Sequence, residues 1–158
     1  MSILSEEVKT HDRYCRLLRR IGSTLGYETE IRHDRRYHLA NPDCVWFVSL
    51  DPKIGLEEPD NVPLVTFEVL YSEREKAIRG SLKSFEIYDS PIGILVLVRE
   101  GLEKMRKKNE TSEQTVRRFK DYAKRLIDDQ GLKRYYVWDE TDVDRLAQKL
   151  GVTSQHEA

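Results

Sequence analysis

Leu64-Val65-Thr66-Phe67-Glu68-Val69-Leu70, Ser72-Glu73-Arg74-Glu75 and Ile92-Gly93-Ile94-Leu95-Val96-Leu97-Val98 form the stretch whose reading decides the fold. The first segment is rich in β-branched and aromatic residues and reads as a strand. The second has the form of a capping box, Ser followed three residues later by Glu. It opens a helix over about Glu73 to Tyr88, with Ile78, Leu82 and Phe85 as the inner face. The third is a continuous apolar run, as expected of a strand covered on both faces. Strand, helix, strand is a βαβ unit, so the two strands run parallel and the helix crosses over between them.

Upstream, Tyr14, Leu17, Leu18, Ile21 and Leu25 recur at helical spacing within a helix from about Ser5 to Leu25. Arg13, Arg16, Arg19 and Arg20 fill its other side, and Gly26 stands where helices commonly stop. Tyr27 to Leu39 is polar, and its first part alternates weakly like an edge strand. Asn41-Pro42 breaks it, and Asp43 to Ser49 reads as the next strand. Asp51 to Pro63 holds Pro52, Gly55, Pro59 and Pro63 and reads as a loop. The first three strands can join as a meander.

Downstream, Lys104 to Lys108 is a basic stretch, and Thr111-Ser-Glu-Gln114 is a second capping box. It opens a long helix with Val116, Phe119, Ala123, Leu126 and Ile127 inward. Arg134 to Trp138 reads as a last strand. Thr141 or Asp142 caps a final helix to about Leu150, and the tail from Val152 to Ala158 is expected to fray. The order is α-β-β-β-α-β-α-β-α. The expected class is α/β, one domain over residues 1–158 with a mixed central sheet flanked by helices.

A chain of 158 residues suits one core, and a charged fraction of 35% makes the surface unusually ionic. Net charge is −1, so any affinity for nucleic acid must come from a local basic patch. Arg19 and Arg20, Arg35 and Arg36, and Arg106-Lys107-Lys108 are the candidates, each with plain surface solvation as the alternative. Tyr135, Tyr136 and Trp138 offer either a stacking surface or ordinary strand packing. Cys15 and Cys44 read as buried free thiols of a reducing compartment. The longest clean apolar run, Ile92 to Val98, is far short of a membrane span, and no secretory h-region opens the chain. A cytoplasmic protein is expected. There is no Gly-rich phosphate loop and no Gly-x-Ser-x-Gly elbow. His33, His38 and Cys44 make a poor zinc set.

Asp43 and Glu68 stand apart, because each is an acid written into a stretch that otherwise reads as buried strand. On neighbouring strands they would make an oxygen-rich site for a hard divalent cation, the starting point of a metal-dependent phosphodiesterase. The bland alternatives are a turn role for Asp43 after Asn41-Pro42 and an edge-protecting charge for Glu68.

The order of elements, with Pro42-Asp43 at the start of the second strand and Glu68-Val69-Leu70 inside the third, resembles the PD-(D/E)XK nuclease superfamily. That resemblance implies a restriction-endonuclease-like αβββαβ core and a metal-dependent DNA endonuclease. Asp43 and Glu68 would hold Mg²⁺ or Mn²⁺, with the Val69 carbonyl as a third oxygen. An acid from the first helix would complete the shell. Glu7 is the candidate, on a stripe with residues 11, 14, 18, 21 and 25, and Glu6 is next to it. The family pattern places Lys, Glu or Gln two residues after the second acid, where this chain has Leu70. Lys83, which shares a helix side with Lys76 and Arg79, is the candidate replacement. For Glu7 the alternative is a first-turn acid complementing the helix dipole, and for Lys83 a solvated helix face. The implied partner is nucleic acid, DNA rather than RNA, and the implied assembly a homodimer. Two other readings stand beside it: a non-catalytic relative that binds nucleic acid or a protein, and a structural subunit.

Overall fold

Tyr14, Leu17, Leu18 and Ile21 form a buried stripe along helix α1 (Glu6–Thr24). The helix stops where the sequence predicts. Gly26 adopts φ 91°, and the Tyr27 N–H closes the end on the Gly22 carbonyl at 2.9 Å. Beyond it lie β1 (Glu28–Ile31), β2 (Cys44–Ser49), β3 (Asn61–Leu70), α2 (Glu75–Tyr88), β4 (Ile92–Leu97), α3 (Arg99–Glu103), α4 (Ser112–Asp129), β5 (Tyr135–Asp139) and α5 (Glu140–Lys149). This computed structural model describes residues 6–31, 42–49, 61–71, 75–132 and 134–153. The expected capping box at Ser72, the patch at Arg35 and Arg36, and His33 and His38 lie outside the described residues.

The strands form one sheet in the order β1-β2-β3-β4-β5. β2 is antiparallel to both neighbours, while β3, β4 and β5 run parallel to one another. The fold is therefore mixed α/β, with a five-stranded mixed sheet flanked by helices. On one face Leu18, Ile21, Trp46, Phe67, Val69, Val96 and Val143 join in the core beneath α1 and α5. On the other, Leu70, Leu95 and Leu97 pack with Ile78, Leu82 and Phe85 of α2 and Phe119 of α4. Gly22 permits the close approach of α1, because a Cβ there would lie 2.4 Å from Trp46 Nε1. That indole N–H donates to the Leu18 carbonyl at 2.9 Å.

The structure corrects several boundaries. β3 begins at Asn61, so Pro63 lies inside a strand and not in a loop. The pairing with β2 shifts between Trp46 and Phe47, and Pro63 stands opposite Phe47 beside that irregularity. A proline, with no N–H to give, is tolerated there. The N-cap of α5 is Asp139, the last residue of β5, and not Thr141 or Asp142. Its carboxylate accepts from the N–H groups of Thr141 and Asp142 at 2.8 and 3.2 Å, and the Asp142 carboxylate accepts from the Asp139 N–H. Strand and helix share one residue, which a search for a separating loop misses. Fraying is corrected for Val152 and Thr153, while residues 154–158 lie outside the described residues: the Val152 N–H donates to the Ala147 carbonyl, its side chain packs on the core, and Arg20 donates to the Thr153 carbonyl. The short helix α3 had no sequence signal.

The box at Thr111 forms as read: Thr111 Oγ1 accepts from the Gln114 N–H at 3.1 Å, and Gln114 Oε1 from the Thr111 N–H at 2.8 Å. Thr111→Ala is expected to destabilise the protein by about 1 kcal/mol in a urea melt, whereas Thr111→Ser should cost far less. Equal melts for both variants would deny the cap its role.

Candidate metal centre

β3, β4 and β5 end level with one another, at Leu70, Leu97 and Asp139. β2 runs the other way, so its first residues lie at this same carboxyl edge, where open α/β sheets commonly bind ligands. The β2–β3 ladder pairs Cys44 with Phe67, and one further step places Asp43 opposite Glu68. β2 ends there while β3 continues. The Val69 N–H would lose its main-chain partner, and the Asp43 carboxylate takes that place, accepting at 2.7 Å.

The same Asp43 oxygen lies 3.2 Å from Nε2 of His11 on α1. One helical turn on, Cys15 Sγ lies 3.8 Å from His11 Nδ1, and Asp12 Oδ1 is 3.6 Å from that nitrogen. One donor atom each from His11, Cys15 and Asp43 falls within 4.8 Å of the others. Asp43 and His11 are partly exposed, while Cys15 is buried. The Asp43 side chain beside His11, chiefly through their hydrogen bond, raises the imidazole from its ordinary 6.5 to about 11. At neutral pH His11 is a cation. Burial pushes the Cys15 thiol up, so it carries its proton. Burial does the same to Cys44.

The residues expected at the site are distributed as follows. Asp43 is at its centre. Val69 contributes its N–H to Asp43 while its side chain packs in the core beneath α1. Glu68 is half-buried, and strand alternation puts it with Thr66 and Leu70 on the α2 side, away from Phe67 and Val69. Glu7 is exposed on α1, one turn before His11. Lys83 sits on α2, exposed, paired with Glu86 at 3.1 Å. Leu70, where the family pattern would have Lys, Glu or Gln, is buried among apolar residues. The α1 side chain that meets Asp43 is thus His11. The His-x-x-x-Cys spacing of residues 11 and 15 puts both on one helix face and was the available signal.

A second polar feature lies along the same edge. A cleft of about 460 Å³ is lined by Arg99, Arg117, Lys120 and Lys124, with Glu113 and Asp139 among them. Lys120 Nζ meets Asp139 Oδ2 at 2.5 Å, and the Arg99 N–H donates to Glu140 at 2.8 Å. Arg118 is held by Glu110 at 3.0 Å and Glu75 at 3.7 Å. Arg106, Lys107 and Lys108 form a surface turn before α4. Among the described residues no helix is long and apolar enough to cross a membrane. No protein-family model, curated protein or solved structure matches the chain.

Proposed function

We propose that the chain is a restriction-endonuclease-like domain that hydrolyses phosphodiester bonds of nucleic acid, DNA before RNA, with a divalent cation at Asp43. The observation that carries this is the Asp43 carboxylate, fixed by the Val69 N–H where β2 ends beside β3. The opening order α-β-β-β-α-β and the mixed sheet are compatible with the core that the resemblance implies. N–H and C=O of one residue point to the same side of a strand, so the Val69 carbonyl also faces the gap beside Asp43. Mg²⁺ or Mn²⁺ bound there would supply a metal-activated water. Glu68, level with Asp43 in the strand register but with its side chain turned to the α2 side, is the second acid in this reading, and Glu7 the acid of the first helix. The protonated His11 places positive charge at the site, and in this reading it and Lys83 are the candidates for the role that Leu70 leaves vacant. Arg99, Arg117 and Lys124 lie along the same edge and suit backbone phosphates. Two copies in a homodimer would address both strands of a duplex.

Incubation with duplex, single-stranded and branched DNA, with Mg²⁺, Mn²⁺ or a chelator, tests this. Metal-dependent cleavage is expected, falling roughly 100-fold or more in Asp43→Asn and Glu68→Gln. Cleavage that survives both substitutions would locate the chemistry elsewhere.

A second reading is a domain of the same fold that binds nucleic acid or a protein partner without cutting. The burial of Leu70 and the pairing of Lys83 with Glu86 favour it. In that case DNA is retained in a gel-shift assay, with a steep salt dependence, and no metal yields product.

A further inference from the structure

We infer that His11, Cys15 and Asp43 form a binding site for a borderline transition-metal ion, Zn²⁺ foremost, distinct in chemistry from the all-oxygen site expected of the two strand acids. The argument starts from the donor set. A ring nitrogen, a thiol sulfur and a carboxylate oxygen suit Zn²⁺ or Co²⁺, whereas Mg²⁺ prefers oxygen throughout. Zinc bond lengths of about 2.3 Å to sulfur and 2.0–2.2 Å to nitrogen or oxygen set tetrahedral edges of about 3.3–3.7 Å. The contacts from His11 Nε2 to Asp43 at 3.2 Å and from His11 Nδ1 to Cys15 at 3.8 Å bracket that range. Those two contacts use different ring nitrogens and only one can take the ion, so the imidazole must turn to aim one nitrogen at an ion shared with Cys15 and Asp43; one donor atom from each residue lies within 4.8 Å of the others.

The frame is held independently of any ion. His11 and Cys15 are one turn apart on a packed helix, and Asp43 is anchored by the Val69 N–H. Three protein donors leave a fourth position for water or a substrate oxygen, the pattern of zinc sites that do chemistry. Binding displaces the proton from the His11 imidazolium and the proton from the Cys15 thiol. The ion therefore enters as M²⁺ and two protons leave to solvent. The inference shares Asp43 and His11 with the nuclease reading, and a metal-bound His11 gives up the cationic role named there, but it does not depend on cleavage, since the metal is detected by its own spectrum.

The test is titration of the purified full chain with Co²⁺ alone, followed by Zn²⁺. A near-ultraviolet sulfur-to-cobalt band is expected, together with visible bands of tetrahedral intensity. Zn²⁺ should abolish both, and a large excess of Mg²⁺ should leave them. Cys15→Ala should remove the sulfur band. His11→Gln and Asp43→Asn should each weaken binding at least tenfold. Cys44→Ala and the pair His33→Ala with His38→Ala should leave the spectrum intact. Zn²⁺ at a hundredfold excess over its dissociation constant should raise the melting temperature by about 5 °C. His11→Gln, which keeps the core cysteine, decides the matter if Cys15→Ala fails to fold. No sulfur band in the wild-type chain overturns the inference. So does a band lost with Cys44 and kept without Cys15, or one indifferent to His11. Loss of DNA cleavage in Glu68→Gln with the cobalt spectrum unchanged would separate the two sites.

Discussion

Asp43→Ala is expected to destabilise the metal-free protein by about 3 kcal/mol, the largest effect of any single polar substitution at the sheet edge. Two losses combine. The Val69 N–H, which donates to Asp43 at 2.7 Å, is left without its acceptor, and an unsatisfied buried donor costs about 1–3 kcal/mol. His11 loses the carboxylate 3.2 Å away that holds its charge, and breaking one side of this partly exposed pair adds about 1 kcal/mol. Asp43→Asn keeps an acceptor oxygen for Val69 and removes only the charge, so about half the effect is expected.

The pH dependence separates the two losses. The groups facing His11 are Asp43, Cys15 and Asp12. Its folded value is raised, from 6.5 to about 11, with Asp43 the largest cause. A raised value means that the folded chain holds the proton over that window. The ion-pair contribution is fully present below about pH 6.5 and is lost as pH climbs through about 11. The gap between wild type and Asp43→Asn should therefore shrink steadily between those limits in chelator-treated urea melts. An imidazole NMR titration should show His11 falling back toward its ordinary range in the variant. A His11 that titrates near 6.5 in the wild-type chain would refute the pairing.

Gly101→Ala is the second large effect, at about 3 kcal/mol and a fall in melting temperature of roughly 6–10 °C. A Cβ at Gly101 would sit 2.1 Å from the Tyr71 carbonyl oxygen and 2.4 Å from its carbon. Those are backbone atoms just past the end of β3, and no side-chain rotation relieves them. α3 would have to lift off the sheet, exposing Leu102, which is buried between α3 and α4. Gly80→Ala is the control. Nothing lies within 4 Å of its Cβ position in the exposed face of α2, so a gain of up to about 1 kcal/mol is expected from helix propensity. Calorimetry of both variants decides it, and a Gly101→Ala protein that melts with the wild type would contradict the close packing of α3.

The elements legible in the sequence were those whose burial pattern is local. The stripe of α1, the β-branched and aromatic content of β2 and β3, the apolar run of β4 and the inward face of α4 each follow from local sequence pattern. The Thr111 box and the Gly26 stop are short-range chemistry, complete within a few residues. The misread boundaries share a different cause. Pro63 is admitted to β3 by an irregularity in its partner strand, and Asp139 serves strand and helix at once. Both depend on what lies across the sheet or beyond the turn.

Residue order alone determined the α/β class, the βαβ unit and the prominence of Asp43, because hydrophobic period and turn chemistry act between neighbours along the chain. The partner of Asp43 was settled only by packing. His11 and Cys15 come from a helix laid over the sheet, and the Val69 N–H is open to the Asp43 carboxylate only because one strand outlasts the other. A donor set assembled from three separate segments has no local signature, since the distances that define it are set by how the helix seats on the sheet.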